Sequence, residues 1–419
     1  MLTVWVDCAE VCRLKKGCEI MEIKLTKEAL IIKYGEIALR GKNRRIYENM
    51  LLDAIRKNLH GAGFADEDFR LSKEQGRFVA EWHEVVDFSA VLPHITCIFG
   101  ITSVCVVTKV LNQDMVSIQD AALDYTQKFC KTPATFKVAT KRANKQFPMK
   151  SDEISAQIGA YLLDNMEGLK VNLTAPNFTL KIEIRNFTYI YSTDREVRGL
   201  GGLPPGSAGK GVLLLSGGID SPVAGFLAAK RGIGITAVYF HSPPYTSQRA
   251  REKVVDLARR LSHYTGKIRL IVVNFTDIQL KLVEKTPPEK ITILLKRAML
   301  KIAGKIAENN GALALVTGDS VGQVASQTLH SLHAMGGAAS LPILRPLACF
   351  DKREIVDISI KIDTYQISIR PYDDCCTLFL PKHPETKPKL SIIQSIEAGV
   401  ADLDELIDQA IESAEIIDM

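Results

Sequence analysis

A chain of 419 residues, 46% apolar and 24% charged, has the composition of a folded protein with two or three domains and substantial cores, which excludes intrinsic disorder. It holds no apolar run of eighteen residues and no secretory-type apolar leader, so a membrane-spanning helix is not expected and a cytoplasmic location is. A net charge of +5 says little by itself, and nine cysteines, placed mostly singly in apolar runs, read as reduced thiols and not as a disulfide framework.

Residues 1–20 fit poorly with the regular segment that Met21 opens and are expected to be an extension; Cys8, Cys12 and Cys18 match no standard metal-site spacing. From 21 to 85 the pattern predicts a small α+β domain, with a strand at 29–34, a helix at 43–59 and a hairpin at 68–82. A second α+β domain is predicted over 86–198, with helices near 117–130 and 151–165 and strands near 103–110, 134–140, 179–185 and 187–193. Residues 199–210 are rich in glycine and proline and read as a flexible linker. Within it, "PPGSAGKG" is not a Walker phosphate loop: Pro204 stands where the first glycine belongs and Gly211 where Ser or Thr belongs.

Residues 211–363 alternate strand and helix, within a domain expected over 211–395. Strands are expected at 212–215, 234–240, 268–274 and 312–317, and helices at 222–231, 247–262 and 289–309. That alternation predicts a doubly wound parallel sheet, whose ligands bind at the carboxyl ends of the strands. A helical tail is expected over 396–419.

The stretch "VLLLSGGIDSPVAGFLAAKRG" (212–232) carries the strongest local signal. Val212–Leu215 reads as a strand buried on both faces. Ser221 is a good N-cap, Pro222 suits the first helical position, and Gly232 is a natural stop. The loop Ser216, Gly217, Gly218, Ile219, Asp220 and Ser221 brings small residues, hydroxyls and a helix N-terminus to one spot, which suits a phosphate group. A tight strand-to-helix turn with no ligand gives the same local pattern.

Three more polar stretches fall at expected strand ends: "VYFHSPPYTSQRA" (238–250), "VTGDSVGQVASQTLHSL" (316–332) and "RPYDDCCTLFLPKHPETKP" (370–388). Together they outline a nucleotide pocket. With "IIKYGEIALRGKNR" (31–44) and "SGGIDS", these stretches resemble one family, the tRNA 4-thiouridine synthetases, also called ThiI, over about residues 22–390. The resemblance implies an N-terminal ferredoxin-like domain, a THUMP domain that holds tRNA, and a PP-loop domain that splits ATP to AMP and pyrophosphate. It implies adenylation of O4 of uridine 8 in tRNA, followed by replacement of that oxygen by sulfur. The residues matching its nucleotide contacts are Leu214, Leu215, the loop itself, Tyr239, Phe240, Lys296 with its neighbour Arg297, Gly318 and Gln327.

The chemistry fits these residue types. A uracil carbonyl oxygen leaves poorly, and transfer of AMP to it makes it leave well. Loop N–H groups, Mg²⁺ and a basic side chain would stabilise the departing pyrophosphate. Asp220 would hold Mg²⁺ or orient the acceptor. Cys376, or its neighbour Cys375, is the candidate thiol, which in the family assists sulfur transfer or resolves the intermediate. Only about thirty residues follow Pro388, fewer than the roughly one hundred a rhodanese domain needs, so a cysteine desulfurase partner, or sulfide, is the expected sulfur source. The family's link to thiamine thiazole synthesis is tied in some members to that rhodanese domain.

For RNA, "FKVATKRANKQFPMK" (136–150) places Lys137, Lys141, Arg142, Lys145 and Lys150 together without an acid, bracketed by Phe136 and Phe147. Cations so grouped favour a phosphate chain. "RGKNRR" (40–45) adds a second cluster. The expected partners are tRNA and a desulfurase, with no membrane; a homodimer is compatible with this reading. Two alternatives stay open at this point: another PP-loop ATP-dependent ligase or amidotransferase, and a non-catalytic RNA-binding protein.

Overall fold

The computed structural model describes residues 26–372, Cys375, Pro381 and 384–419. Residues 1–20, Cys376, Lys382 and His383 therefore lie outside the described residues. The described residues form two compact units. Of the described residues, one unit comprises 26–31, Val79–Val85 and Cys105–Glu196; the other comprises Ile32–Phe78, Val86–Val104 and those from Val197 on.

In chain order the first elements are β1 (Thr26–Tyr34), α1 (Arg44–Gly61), β2 (Phe69–Glu74), β3 (Arg77–Trp82), α2 (Phe88–Thr96) and β4 (Ile101–Val110). They are followed by α3 (Met115–Phe129), β5 (Ala134–Arg142), α4 (Ser151–Asn165), β6 (Leu169–Val171), β7 (Phe178–Ile184), β8 (Thr188–Ser192) and β9 (Val197–Arg198). β1, β3 and β4 each give residues to both units.

In the first unit β5 runs parallel to both β6 and β7, and β7 is antiparallel to β8. Alternation along β7 reads buried, half-buried, buried, so Phe178, Leu180, Ile182 and Ile184 face one core. Ile118 and Tyr125 of α3 and Ile154 and Ile158 of α4 close over it.

The second unit continues with β10 (Lys210–Leu214), α5 (Asp220–Lys230), β11 (Gly234–His241), α6 (Gln248–Thr265), β12 (Arg269–Asn274), α7 (Thr276–Lys285) and α8 (Ile291–Asn309). β13 (Ala314–Val316), α9 (Leu329–Gly336), β14 (Ile343–Leu344), α10 (Lys352–Lys361), α11 (Tyr365–Ser368), α12 (Leu390–Ala398), α13 (Leu403–Glu412) and β15 (Glu415–Asp418) complete it. The sheet order is β14-β13-β10-β11-β12-β15, parallel except for β15, which runs antiparallel to β12. The doubly wound parallel sheet expected from the sequence is present. The helical tail is not helical to its end, because Glu415–Asp418 completes an edge of this sheet.

Alternate residues of each strand pack on opposite faces. Val212, Val238, Ile271 and Val273 meet α7, α8 and α13, whereas Leu213, Leu215, Tyr239 and Leu270 meet α5 and α6. Chain order reverses between β10 and β13, and such a switch point opens a crevice outside the strand ends.

The glycine-rich segment before β10 is not a free hinge. Gly201 N–H donates to Ile101 O at 2.7 Å, Gly100 N–H to Gly201 O at 2.8 Å and Leu203 N–H to Lys230 O at 3.0 Å. Its glycines serve close packing: a Cβ on Gly202 would sit 2.2 Å from Lys230 O, at a φ of +82°.

Candidate active site

At the switch point lies a cleft of about 280 Å³. Leu214, Leu215, Ser216, Asp220 and Ser221 line it from the first strand end, and Tyr239 and Phe240 from the second. Lys296, Met299 and Leu300 enter from α8, Thr317, Gly318 and Asp319 from the end of β13, and Gln327, Met335, Arg345 and Cys375 complete the wall.

The loop is shaped by its own hydroxyls. Ser216 N–H donates to Ser221 Oγ at 2.9 Å, and the two hydroxyls are 3.1 Å apart. Gly218 N–H reaches Ser216 Oγ at 3.3 Å, and Ser368 Oγ donates to Gly218 O at 3.2 Å. The helix starts two residues earlier than the capping pattern indicates. Its N-cap is Ile219, in a helical conformation, so Ser221 and Pro222 lie inside the first turn. The physical reason is that Ser221 Oγ is turned back onto the loop at Ser216 and does not cap the helix. Gly318 is needed where β13 meets this turn: a Cβ there would lie 2.7 Å from Ser221 N.

Two carboxylates enter the cleft, each held differently. Asp220 Oδ1 accepts from Lys352 Nζ at 2.5 Å, and its Oδ2 accepts from Gln323 Nε2 at 2.8 Å. Lys352 is the first residue of α10, fixed there by a capping box in which Glu354 N–H donates to Asp351 Oδ1 and Asp351 N–H to Glu354 Oε2. Asp319 accepts from Thr317 Oγ1 at 2.8 Å, lies 3.4 Å from Lys296 Nζ and 3.6 Å from Arg345 Nε, and is bonded by Gln327 Nε2 at 3.4 Å. Burial alone would raise its pKa. The charge of Lys296, the Thr317 bond, and then Arg345 and Gln327 outweigh burial and hold Asp319 below the usual carboxylate range.

The structure thus brings Leu214, Leu215, Ser216, Asp220, Ser221, Tyr239, Phe240, Lys296, Gly318, Gln327 and Cys375 to one cleft. Gly217 and Gly218 shape the loop without lining it. Arg297 is elsewhere. Successive helical residues point about 100° apart, so Arg297 turns from the cleft into the core, where it is 2% exposed. It donates to Glu397 Oε2 at 2.6 Å and to Ala334 O at 2.5 Å. Asp319 and Gln323 lie in the polar stretch 316–332 that outlines the pocket in the sequence but carry no assigned contact there, and Arg345 and Lys352 lie outside every stretch singled out. Of these only Asp319 carries a local signal, as a polar residue just past a buried strand.

Residues 206–401 match the family model described as thiamine biosynthesis protein (ThiI). Residues 29–105 match its ferredoxin-like domain, and 112–193 the THUMP domain. A protein of Lachnoclostridium phytofermentans named "Probable tRNA sulfurtransferase" is 48% identical over 392 residues, which are 93% of this chain and 99% of that one.

The chain belongs to the ThiI family.

A relative of the same name from Acetivibrio thermocellus is 48% identical over 394 residues, 93% of this chain and 98% of its own. A solved 4-thiouridine synthetase, in complex with RNA and bound ATP, superposes with a TM-score of 0.84 at 38% identity, over 94% of this chain and 100% of that one. Its ferredoxin-like, THUMP and parallel-sheet architecture is the fold found here.

Of the expected RNA contacts, Lys141, Lys145 and Lys150 are exposed and Lys137 is partly so. Arg142 is occupied: its Nη1 donates to Phe147 O at 2.9 Å and Met149 O at 2.6 Å, closing the loop that carries Lys145. Phe136 and Phe147 are core residues, 0% and 6% exposed, and present no ring to a base. In the other ThiI cluster Arg44 is likewise occupied, donating to Glu48 at 2.8 Å and Tyr34 at 2.6 Å, while Lys42 and Arg45 are exposed.

Among the described residues no group of three or more His, Cys, Asp and Glu side chains is arranged to hold a metal ion. None of the described helices is long and apolar enough to cross a membrane.

Proposed function

We propose that this chain is an ATP-dependent tRNA sulfurtransferase that forms 4-thiouridine at position 8 of tRNA. The observation that carries the reading is the switch-point cleft, which joins the SGGIDS loop, the Lys296–Asp319–Arg345 cluster and Cys375 in one space. Family membership and the ATP-bound 4-thiouridine synthetase support it.

The triphosphate lies along the Ser216–Ser221 loop, with Lys296 as a cationic partner and the base against Leu214, Tyr239 and Phe240. Uracil O4 attacks the α-phosphorus, the bond to the bridging oxygen breaks, and pyrophosphate leaves. Asp319 is engaged by two cations and Asp220 by one, Lys352, so Asp220 would be the carboxylate to take Mg²⁺ carried in with the triphosphate, with Lys352 displaced from it. That ion would neutralise charge on the leaving pyrophosphate.

In the second step the terminal sulfur of a persulfide, supplied by a cysteine desulfurase, bonds to C4, and AMP departs with the oxygen. The Cys375 thiolate then attacks the donor-side sulfur of the resulting disulfide. The sulfur–sulfur bond breaks toward the nucleoside, releasing 4-thiouridine, and the new protein disulfide is returned to thiols by an external dithiol. Cys375 lines the cleft and is assigned this role; Cys376 lies outside the described residues. Exposed Lys141, Lys145 and Lys150, with the half-buried Lys137, bind the tRNA backbone. Deleting the gene and examining bulk tRNA by nucleoside mass spectrometry tests the reading: 4-thiouridine should vanish and return with the wild-type gene, and its persistence would refute the assignment.

A further inference from the structure

Lys253 lies on the buried face of α6, with Ala250, Val254 and Leu257, and is 5% exposed. A lysine carried into an interior needs strong acceptors there. Its Nζ donates to Arg370 O at 2.9 Å and to Tyr372 O at 3.2 Å. Three residues further on, Gln279 of α7, 1% exposed, donates from Nε2 to Cys375 O at 2.8 Å. Two side chains from two helices therefore grip the main chain immediately before Cys375 and at Cys375. The surface adds a further tie, Arg370 Nη1 to Asp256 Oδ2 at 2.6 Å.

We infer that Lys253 and Gln279 are positioning residues for sulfur transfer: they fix the backbone that delivers Cys375 to the cleft. Neither residue lines the cleft. Adenylation uses the loop, Lys296 and the phosphates, and has no need of Cys375. Sulfur transfer needs the thiol within bonding reach of the sulfur on C4, and a displacement of roughly 1 Å can cost about 10²-fold in rate. Removing either grip therefore leaves the first step and slows the second. This inference rests on the reading of Cys375 as the working thiol.

The test uses the full chain with Lys253→Met, Gln279→Met and Cys375→Ser. Each variant is measured for melting temperature, single-turnover pyrophosphate release with tRNA, 4-thiouridine formed with a desulfurase and dithiol, and the rate of iodoacetamide labelling at Cys375. Gln279→Met keeps volume and removes the amide whose Nε2 holds Cys375 O, so it decides the outcome should Lys253→Met not fold. For Lys253→Met and Gln279→Met the expected result is pyrophosphate release within about twofold of wild type, 4-thiouridine formation per adenylation down about tenfold or more, and a changed labelling rate at Cys375. If Cys375→Ser separates the two steps and Gln279→Met does not, the positioning role is overturned while the thiol assignment stands. If Cys375→Ser forms 4-thiouridine normally, the thiol assignment fails and the positioning role fails with it.

Discussion

The Asp220 carboxylate is held 2.5 Å from the Lys352 ammonium, across 132 residues of sequence, with Gln323 Nε2 on its other oxygen. The loop aspartate is thus pre-set by two residues from different segments before any nucleotide arrives. Asp220→Ala should lower ATP turnover by about 10²–10³-fold and leave tRNA affinity nearly unchanged, since the basic RNA segment belongs to the other unit. Parallel filter-binding and pyrophosphate assays check this; equal loss of both would reject the division of labour.

Lys296 and Arg297 are neighbours in sequence with opposite surroundings. Lys296→Met should raise the KM for ATP with a small effect on melting. Among the described residues, Arg297→Met leaves buried Glu397 with Lys301 alone, at 3.5 Å, to answer its charge. A cost of about 3 kcal/mol follows, visible as a lower midpoint in urea. A stable Arg297→Met with impaired ATP binding would place Arg297 back in the site.

The same pair shows what was legible in the sequence. The strand, loop and helix at 212–232 could be read because an apolar run, glycines and a stop lie together in a short window. Lys296 and Arg297 could not be told apart, because only packing decides which of two adjacent helical side chains meets the cleft. Lys352 and Gln323 gave no sequence signal toward Asp220, since their partnership exists only once β10, β13 and α10 are assembled. Phe136 flanks the basic segment in sequence, yet it packs in the core beside Phe178.

In the basic segment, Lys141→Ala with Lys145→Ala should reduce the slope of log affinity for tRNA against log salt by about 1.4–1.8, at roughly 0.7–0.9 per lost phosphate contact. Arg142→Ala should act differently, by freeing the carbonyls of Phe147 and Met149 and lowering stability. An unchanged slope in the double lysine variant would remove the segment from the interface.

His241, at the end of β11, has its pKa lowered by burial, with Arg251 adding to the effect; its Nδ1 lies 2.9 Å from Thr246 Oγ1. The unfolded chain then takes up the proton more readily than the fold does. Its contribution is present at neutral pH and is lost as pH falls below about 6.5. Melting temperatures between pH 8 and 5.5 should fall less steeply for His241→Asn than for wild type. Identical slopes would show that this histidine does not titrate with unfolding.

On the proposed route AMP is attached to uracil O4 and leaves with that oxygen. A tRNA carrying ¹⁸O at O4 of uridine 8, thiolated with ATP and a persulfide donor, tests it in one measurement by mass spectrometry of the AMP. The mechanism predicts one ¹⁸O in AMP for every 4-thiouridine formed. AMP without the label, alongside normal 4-thiouridine, would contradict it.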